Sequence, residues 1–89
     1  MYNLHWDEPF IRKAKKLMKN NPNFEIIFKK RIELLELDPF HPTLKTHKLQ
    51  GKLKKYYSCS IDYYFRLIFD FLDNENIQLL DIGSHDEVY

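Results

Sequence analysis

The sequence has one cysteine, no long apolar run and almost no net charge, and each of these absences closes off a class of protein. Cys59, alone, leaves no partner for an intramolecular disulfide and no ligand set for a cysteine-based zinc site, so a reducing compartment is expected. No apolar stretch approaches the ~20 residues that a membrane-spanning helix needs. The opening Met1-Tyr2-Asn3-Leu4-His5-Trp6-Asp7 lacks the basic-then-apolar pattern of a signal peptide. The chain therefore reads as small, soluble and cytoplasmic, with no membrane partner. It holds no internal repeat and no low-complexity tract. Fourteen Lys and Arg against thirteen Asp and Glu leave a formal charge of only +1. As a total, that balance speaks against a nucleic-acid partner.

What is present fits one folded domain over residues 1–89. Hydrophobic residues make up 44% and charged residues 30%, ordinary for a globular chain. A chain of this size buries only roughly 60% of its unfolded surface, so the core is small. The 16% aromatic content compensates, because each ring removes a large area from water.

Tyr2, Leu4 and Trp6 alternate and predict a short strand. Asp7 stands where a helix N-cap belongs, with Glu8 and Pro9 in the first turn. Phe10, Ile11, Ala14, Leu17 and Met18 then recur at helical spacing, and this helix ends near Asn20-Asn21. Pro22 repeats the cap-then-proline signal for a second helix, which carries Phe24, Ile27, Phe28, Ile32, Leu35 and Leu34 inward until Asp38-Pro39 stops it. From Lys45 onward the period falls to two. Tyr57, Cys59 and Ile61 alternate with Tyr56, Ser58 and Ser60. Phe65, Leu67, Phe69 and Phe71 alternate with Arg66, Ile68, Asp70 and Leu72. Asp62-Tyr63-Tyr64 and Asp73-Asn74-Glu75-Asn76 mark the turns. A last strand runs from Ile77 to Ile82 and Gly83 ends it. Consecutive strands with short turns pair antiparallel. The expected fold is α+β: an N-terminal strand and two helices packed on one face of an antiparallel sheet.

The charge total hides a segregated distribution. Residues 11–31 hold eight basic side chains and one acid, residues 41–57 hold five lysines and no acid, and residues 67–89 hold six acids and no Lys or Arg. On the helices such lysines ordinarily form a solvated face. In 41–57 they interleave with His41, His47, Tyr56 and Tyr57, a mixture of cations and stacking rings that suits single-stranded RNA.

Four residues carry possible chemistry. Arg66 is the one cation in a core-like strand, and alternation puts it on the face opposite Phe65, Leu67 and Phe69. There it either grips a phosphate through parallel hydrogen bonds or pairs with Asp62, Asp70 or Asp81. His47 and His85 have the side chain that titrates near neutrality, as general acid–base chemistry needs, although a histidine serves equally as a turn or surface residue. Tyr89 ends the chain, where fraying is the ordinary outcome.

The second half resembles a known family. Lys45-Thr46-His47-Lys48-Leu49-Gln50-Gly51-Lys52-Leu53-Lys54-Lys55-Tyr56-Tyr57 is similar to the K-x-H-x-L-x-G segment of RelE/ParE-superfamily toxins of the YafQ-like branch. Phe65-Arg66-Leu67-Ile68-Phe69 is similar to the family's arginine-bearing strand. Gly83-Ser84-His85-Asp86-Glu87-Val88-Tyr89 is similar to its histidine-and-aromatic terminus. The resemblance is specific over residues 45–89 and rests on pattern alone before them.

It implies a RelE-like fold and the toxin of a type II toxin–antitoxin system. The implied activity is an mRNA endonuclease working on the 70S ribosome without metal or cofactor, silenced by a cognate antitoxin. The implied chemistry is attack of the ribose 2′-OH on the adjacent phosphate. His85 would be the general acid and Arg66 would stabilise the phosphorane. His47 would act as base or hold the substrate, and Tyr89 would orient a base. Lys45, Lys52, Lys54, Lys55 and Tyr56 would hold the RNA. Some YafQ-like members carry Asp, His and Asp where Ser58, Ser60 and Tyr64 stand here. The base is therefore either His47 or replaced by the electrostatics of Arg66 and the lysines. Two other functions remain open: a ParE-like inhibitor of DNA gyrase, which has no need of the histidines, and an inactive relative that only binds an antitoxin.

Overall fold

A computed structural model of the protein describes residues 1–53 and 55–89. Its elements follow the order β1 (Asn3–His5), α1 (Glu8–Asn20), α2 (Pro22–Leu37), β2 (His47–Lys48), β3 (Tyr57–Ser60), β4 (Phe65–Phe71), β5 (Asn76–Ser84) and α3 (His85–Val88), with 3-10 turns at Pro42–Leu44 and Gly51–Leu53. The five strands form one sheet in the order β1-β5-β4-β3-β2.

Both long helices begin and end where expected, but only α1 has the expected side-chain cap: Asn21 makes no cap hydrogen bond to α2, and its side-chain amide donates instead to the Leu17 carbonyl at 3.0 Å. The Asp7 side chain accepts from the Phe10 N–H at 3.0 Å, capping α1 one residue before Glu8-Pro9; such a cap stabilises a helix by about 1 kcal/mol. Pro22 opens α2, and the Asp38 N–H bonds back to the Leu34 carbonyl at the other end. Phe10 and Ala14 from α1 and Phe24, Phe28 and Leu35 from α2 pack on Cys59, Ile61, Leu67, Phe69, Ile77, Leu79 and Ile82 of the sheet. The α+β expectation holds. The Cys59 thiol is sealed in this layer, and burial pushes its pKa up to about 12 against the lowering pull of the nearby Arg66 charge; a thiol so poor in thiolate is inert.

Three features depart from the sequence-based picture. First, the sheet is mixed, because β1 pairs parallel with β5 (Leu4 beside Ile77) while β2 to β5 pair antiparallel. Strands that pair parallel need a long crossover, and here the two helices and the three strands after them lie between the pair. Second, the β4–β5 ladder has a bulge: Ile68 faces Asp81 and Phe69 faces Leu79, so Leu80 has no partner. The extra residue reverses the alternation and lets Ile77, Leu79 and Ile82 all reach the core. Third, Gly83 does not end the last strand, which runs on through Ser84.

Candidate active site

The sheet face away from the main core carries the site. Ile68 and Val88 are buried yet lie outside the main hydrophobic cluster, and they mark a second, smaller layer made by α3 folding back on β4 and β5. Gly83 permits that approach. A Cβ there would meet the Glu87 Cβ at 3.2 Å and the Val88 Cγ1 at 3.3 Å, closer than ordinary van der Waals contact.

A reciprocal cap holds the four-residue helix. The Glu87 N–H donates to the Ser84 hydroxyl at 3.3 Å, and the Ser84 N–H donates to the Glu87 carboxylate at 3.0 Å. The same bonds, the Ser84 backbone N–H foremost, keep the Glu87 carboxyl below its ordinary value of 4.5. The sign follows from linkage: a depressed folded-state pKa stabilises the docked helix above the unfolded value and loses that contribution as pH falls through the folded one. Acidification below about pH 4.5 is therefore expected to loosen α3 before β5. Amide-exchange protection at Glu87 and Tyr89 relative to Ile82 would report it, and in Glu87→Gln the relative protection should no longer depend on pH. Uniform loss across β5 and α3 in the wild type would contradict this.

Tyr89 is docked at the end of α3, where fraying was the ordinary expectation. Its N–H donates to the His85 carbonyl, and its hydroxyl hydrogen-bonds the hydroxyl of Ser58, a fully buried residue of β3. The His85 ring stands edge-on to the Tyr89 ring with centroids 4.3 Å apart. His85 itself stays exposed, with Nδ1 3.6 Å from the Asp86 carboxylate; its Nε2 makes no hydrogen bond among the described residues. Across the β2–β3 pair, His47 lies directly opposite Ser58, and directly paired residues project to the same face. His47 is exposed, its Nδ1 3.1 Å from the Lys45 carbonyl. A contiguous path thus runs from His47 past Ser58 to Tyr89 and His85, joining residues up to 42 positions apart in the sequence.

Arg66 shares that face by register, paired with Ser60 on one side and Gly83 on the other. Among the described residues it forms no ion pair. Asp81 takes Lys13 instead, at 2.8 Å. The Arg66 guanidinium reaches the β3–β4 hairpin, where Nη1 donates to the carbonyls of Asp62 (2.9 Å), Phe65 (3.1 Å) and Tyr63 (3.3 Å). The structure divides the basic segment. Lys45 lines a cavity beside Arg66. Lys55 sits 5.1 Å from the centre of the Tyr56 ring, in cation–π range, and with Lys48 borders a separate surface hollow. Lys52 is exposed on the second 3-10 turn. Lys54 lies outside the described residues. No group of three or more His, Cys, Asp or Glu among the described residues is placed to hold a metal.

Sequence reasoning missed Ser58, the anchor of Tyr89, and the helical state of the terminus. The second had a signal: Ser84-x-x-Glu87 is the spacing of a capping box. For the first, the family resemblance marks position 58 only as a departure, and a serine that alternates with core residues looks solvent-facing, so its bond to Tyr89 was not foreseen.

The chain as a whole is similar to known proteins. A family model described as "Bacterial toxin of type II toxin-antitoxin system, YafQ" matches residues 2–89. No curated protein matches the chain by sequence. Among solved structures, a copper-bound mutant toxin from Helicobacter pylori is 27% identical, with a TM-score of 0.81 over 100% of both chains. YafQ from E. coli strain BL21(DE3) is 19% identical, with a TM-score of 0.77 over 100% of this chain and 99% of that one. The E. coli DinJ–YafQ complex includes a chain 20% identical to this one, with a TM-score of 0.79 over 100% and 99%.

Proposed function

The chain belongs to the YafQ family of bacterial toxins of type II toxin–antitoxin systems, and from that premise we propose that it is an mRNA endonuclease, acting on the ribosome and held inactive by a cognate antitoxin. The observation that carries this reading is the docked terminus: a capped helix presents His85 against Tyr89, on the face that His47 and Arg66 share. An inhibitor that worked by binding alone has no use for two exposed imidazoles set on one face.

In-line cleavage asks for a base on the 2′-OH, stabilisation of the phosphorane and an acid for the leaving oxygen. His47, exposed on the edge strand, takes the proton from the 2′-OH. As the 2′-oxygen bonds to phosphorus, the added negative charge falls to Arg66, whose guanidinium is fixed by three carbonyls and so needs little reorganisation. His85 then donates its proton to the departing 5′-oxygen. The products are a 2′,3′-cyclic phosphate and a 5′-hydroxyl. Tyr89, pinned by Ser58, keeps the His85 ring from rotating away and offers its own face to a base.

DinJ bound to YafQ supplies the pattern for the partner. The exposed Lys45, Lys48, Lys52 and Lys55 suit an acidic segment that orders on binding. Incubation of the purified chain with ribosomes and mRNA should yield fragments ending in a cyclic phosphate, with growth arrest when the chain is expressed without its antitoxin. Intact mRNA together with inhibited DNA supercoiling would replace this reading with gyrase inhibition.

A further inference from the structure

Arg31, on α2, belongs to none of the motifs above, yet the fold brings it to a cavity that also takes Lys45 and Arg66. The cavity measures about 350 Å³ and is lined in addition by Thr43, Ser60, Ile61, Asp62 and Tyr63. Its cations come from three separate parts of the chain: α2, the turn after Pro42–Leu44, and β4. None of the three is in an ion pair among the described residues. Asp62 offsets one positive charge, but its Oδ1 already accepts from the N–H groups of Tyr64 and Phe65 at 2.8 and 2.7 Å, which caps the hairpin. With Arg66 assigned to the scissile phosphate, Arg31 and Lys45 remain against Asp62, so the balance is positive, in a concave site with the hydroxyls of Thr43, Ser60 and Tyr63 on its wall.

We infer that this cavity is a second phosphate subsite, holding the RNA phosphodiester next to the one that is cut. The inference rests on the RNA-cleavage reading and extends its binding site to Arg31, Thr43 and Ser60. Position supports it. Ser60 is two residues from Ser58 along β3, about 7 Å, and Arg66 pairs with Gly83 immediately before the Ser84 cap. Lys45 adds a second observation. It is the only residue other than glycine with a positive φ, 50°, among the described residues. A glycine or asparagine would hold that turn at lower cost, and a long cation placed there is an outlier of the kind that gathers at ligand clamps. Tyr63, on the rim, is 98% exposed and offers a stacking platform for the adjoining base. Cations and hydroxyls converging from several sides suit a tetrahedral phosphate better than a planar carboxylate.

The test uses a short 2′-O-methyl RNA oligomer, which binds but lacks the attacking hydroxyl. Arg31→Gln and Lys45→Gln should each weaken binding roughly fivefold at low salt. Each should also flatten the dependence of log K on log salt by about 0.7, the value of one lost contact to single-stranded RNA. Lys16→Gln, on the exposed face of α1, removes the same charge elsewhere and is the reference. Affinities and slopes equal to the Lys16→Gln reference would overturn the subsite. So would variants that lose affinity for a polyglutamate peptide but not for RNA, which would assign the cavity to an acidic protein partner. Failure of the cleavage reading looks different: the wild type would bind the oligomer through Arg31 and Lys45 yet leave cleavable mRNA intact on ribosomes.

Discussion

His85→Ala should lower the rate of mRNA cleavage by about 100-fold or more, the usual cost of removing a positioned acid–base group, while leaving the fold and RNA affinity close to those of the wild type. The expectation rests on geometry. The imidazole is exposed, so deleting it opens no core cavity, and α3 keeps its cap through Ser84 and Glu87. The loss should fall on the chemical step measured in single turnover, and a substrate with a better 5′ leaving group should recover much of the rate. His47→Ala should be similarly impaired but insensitive to the leaving group, because a base acts on the other oxygen. A His85→Ala protein that remains fully toxic and cleaves at the wild-type rate would eliminate the proposed mechanism.

Gly83→Val should abolish most activity without touching a catalytic group. The modest crowding an alanine would cause at this position becomes overpacking with a branched side chain, at a typical cost of 1–3 kcal/mol. Such a cost is small for the whole domain but large for α3. Four residues, one reciprocal cap, the buried Val88 and the Tyr89–Ser58 bond hold that helix. At about 1.4 kcal/mol per tenfold, undocking of α3 would reduce cleavage by roughly 10- to 100-fold. Far-ultraviolet circular dichroism should change little, because the other elements pack elsewhere, while the Tyr89 and His85 ring resonances shift toward free-peptide positions. Wild-type cleavage in Gly83→Val would show that docking of α3 against β5 is irrelevant to function.

Much of this architecture is legible along the chain. Asp7 and Pro9 announce α1, Pro22 and Asp38-Pro39 bound α2, and the period-two run of Phe65, Leu67, Phe69 and Phe71 marks β4, as the structure has them. The charge pattern behind the net +1 is legible too. What eluded the sequence depends on pairing. Strict alternation from Ile77 would turn Asp81 inward and Ile82 outward, and only the bulge at Leu80, set by register with β4, reverses that. Likewise nothing in Tyr2–Trp6 states that β1 joins the far edge of the sheet in parallel.

The site divides in the same way. Residue chemistry marks His47, Arg66, His85 and Tyr89 only as candidates, the family resemblance implies their roles, and alternation assigns Arg66 its face. Those are local properties, fixed by side-chain type and by the two-residue repeat of a strand. Which groups meet is decided by tertiary structure, because a hydrogen bond between Ser58 and Tyr89 spans 31 positions, and an arginine on α2 comes to line one cavity with a strand arginine only when helix and sheet pack. Periodicity names the face a side chain looks from; only the folded chain determines what stands opposite.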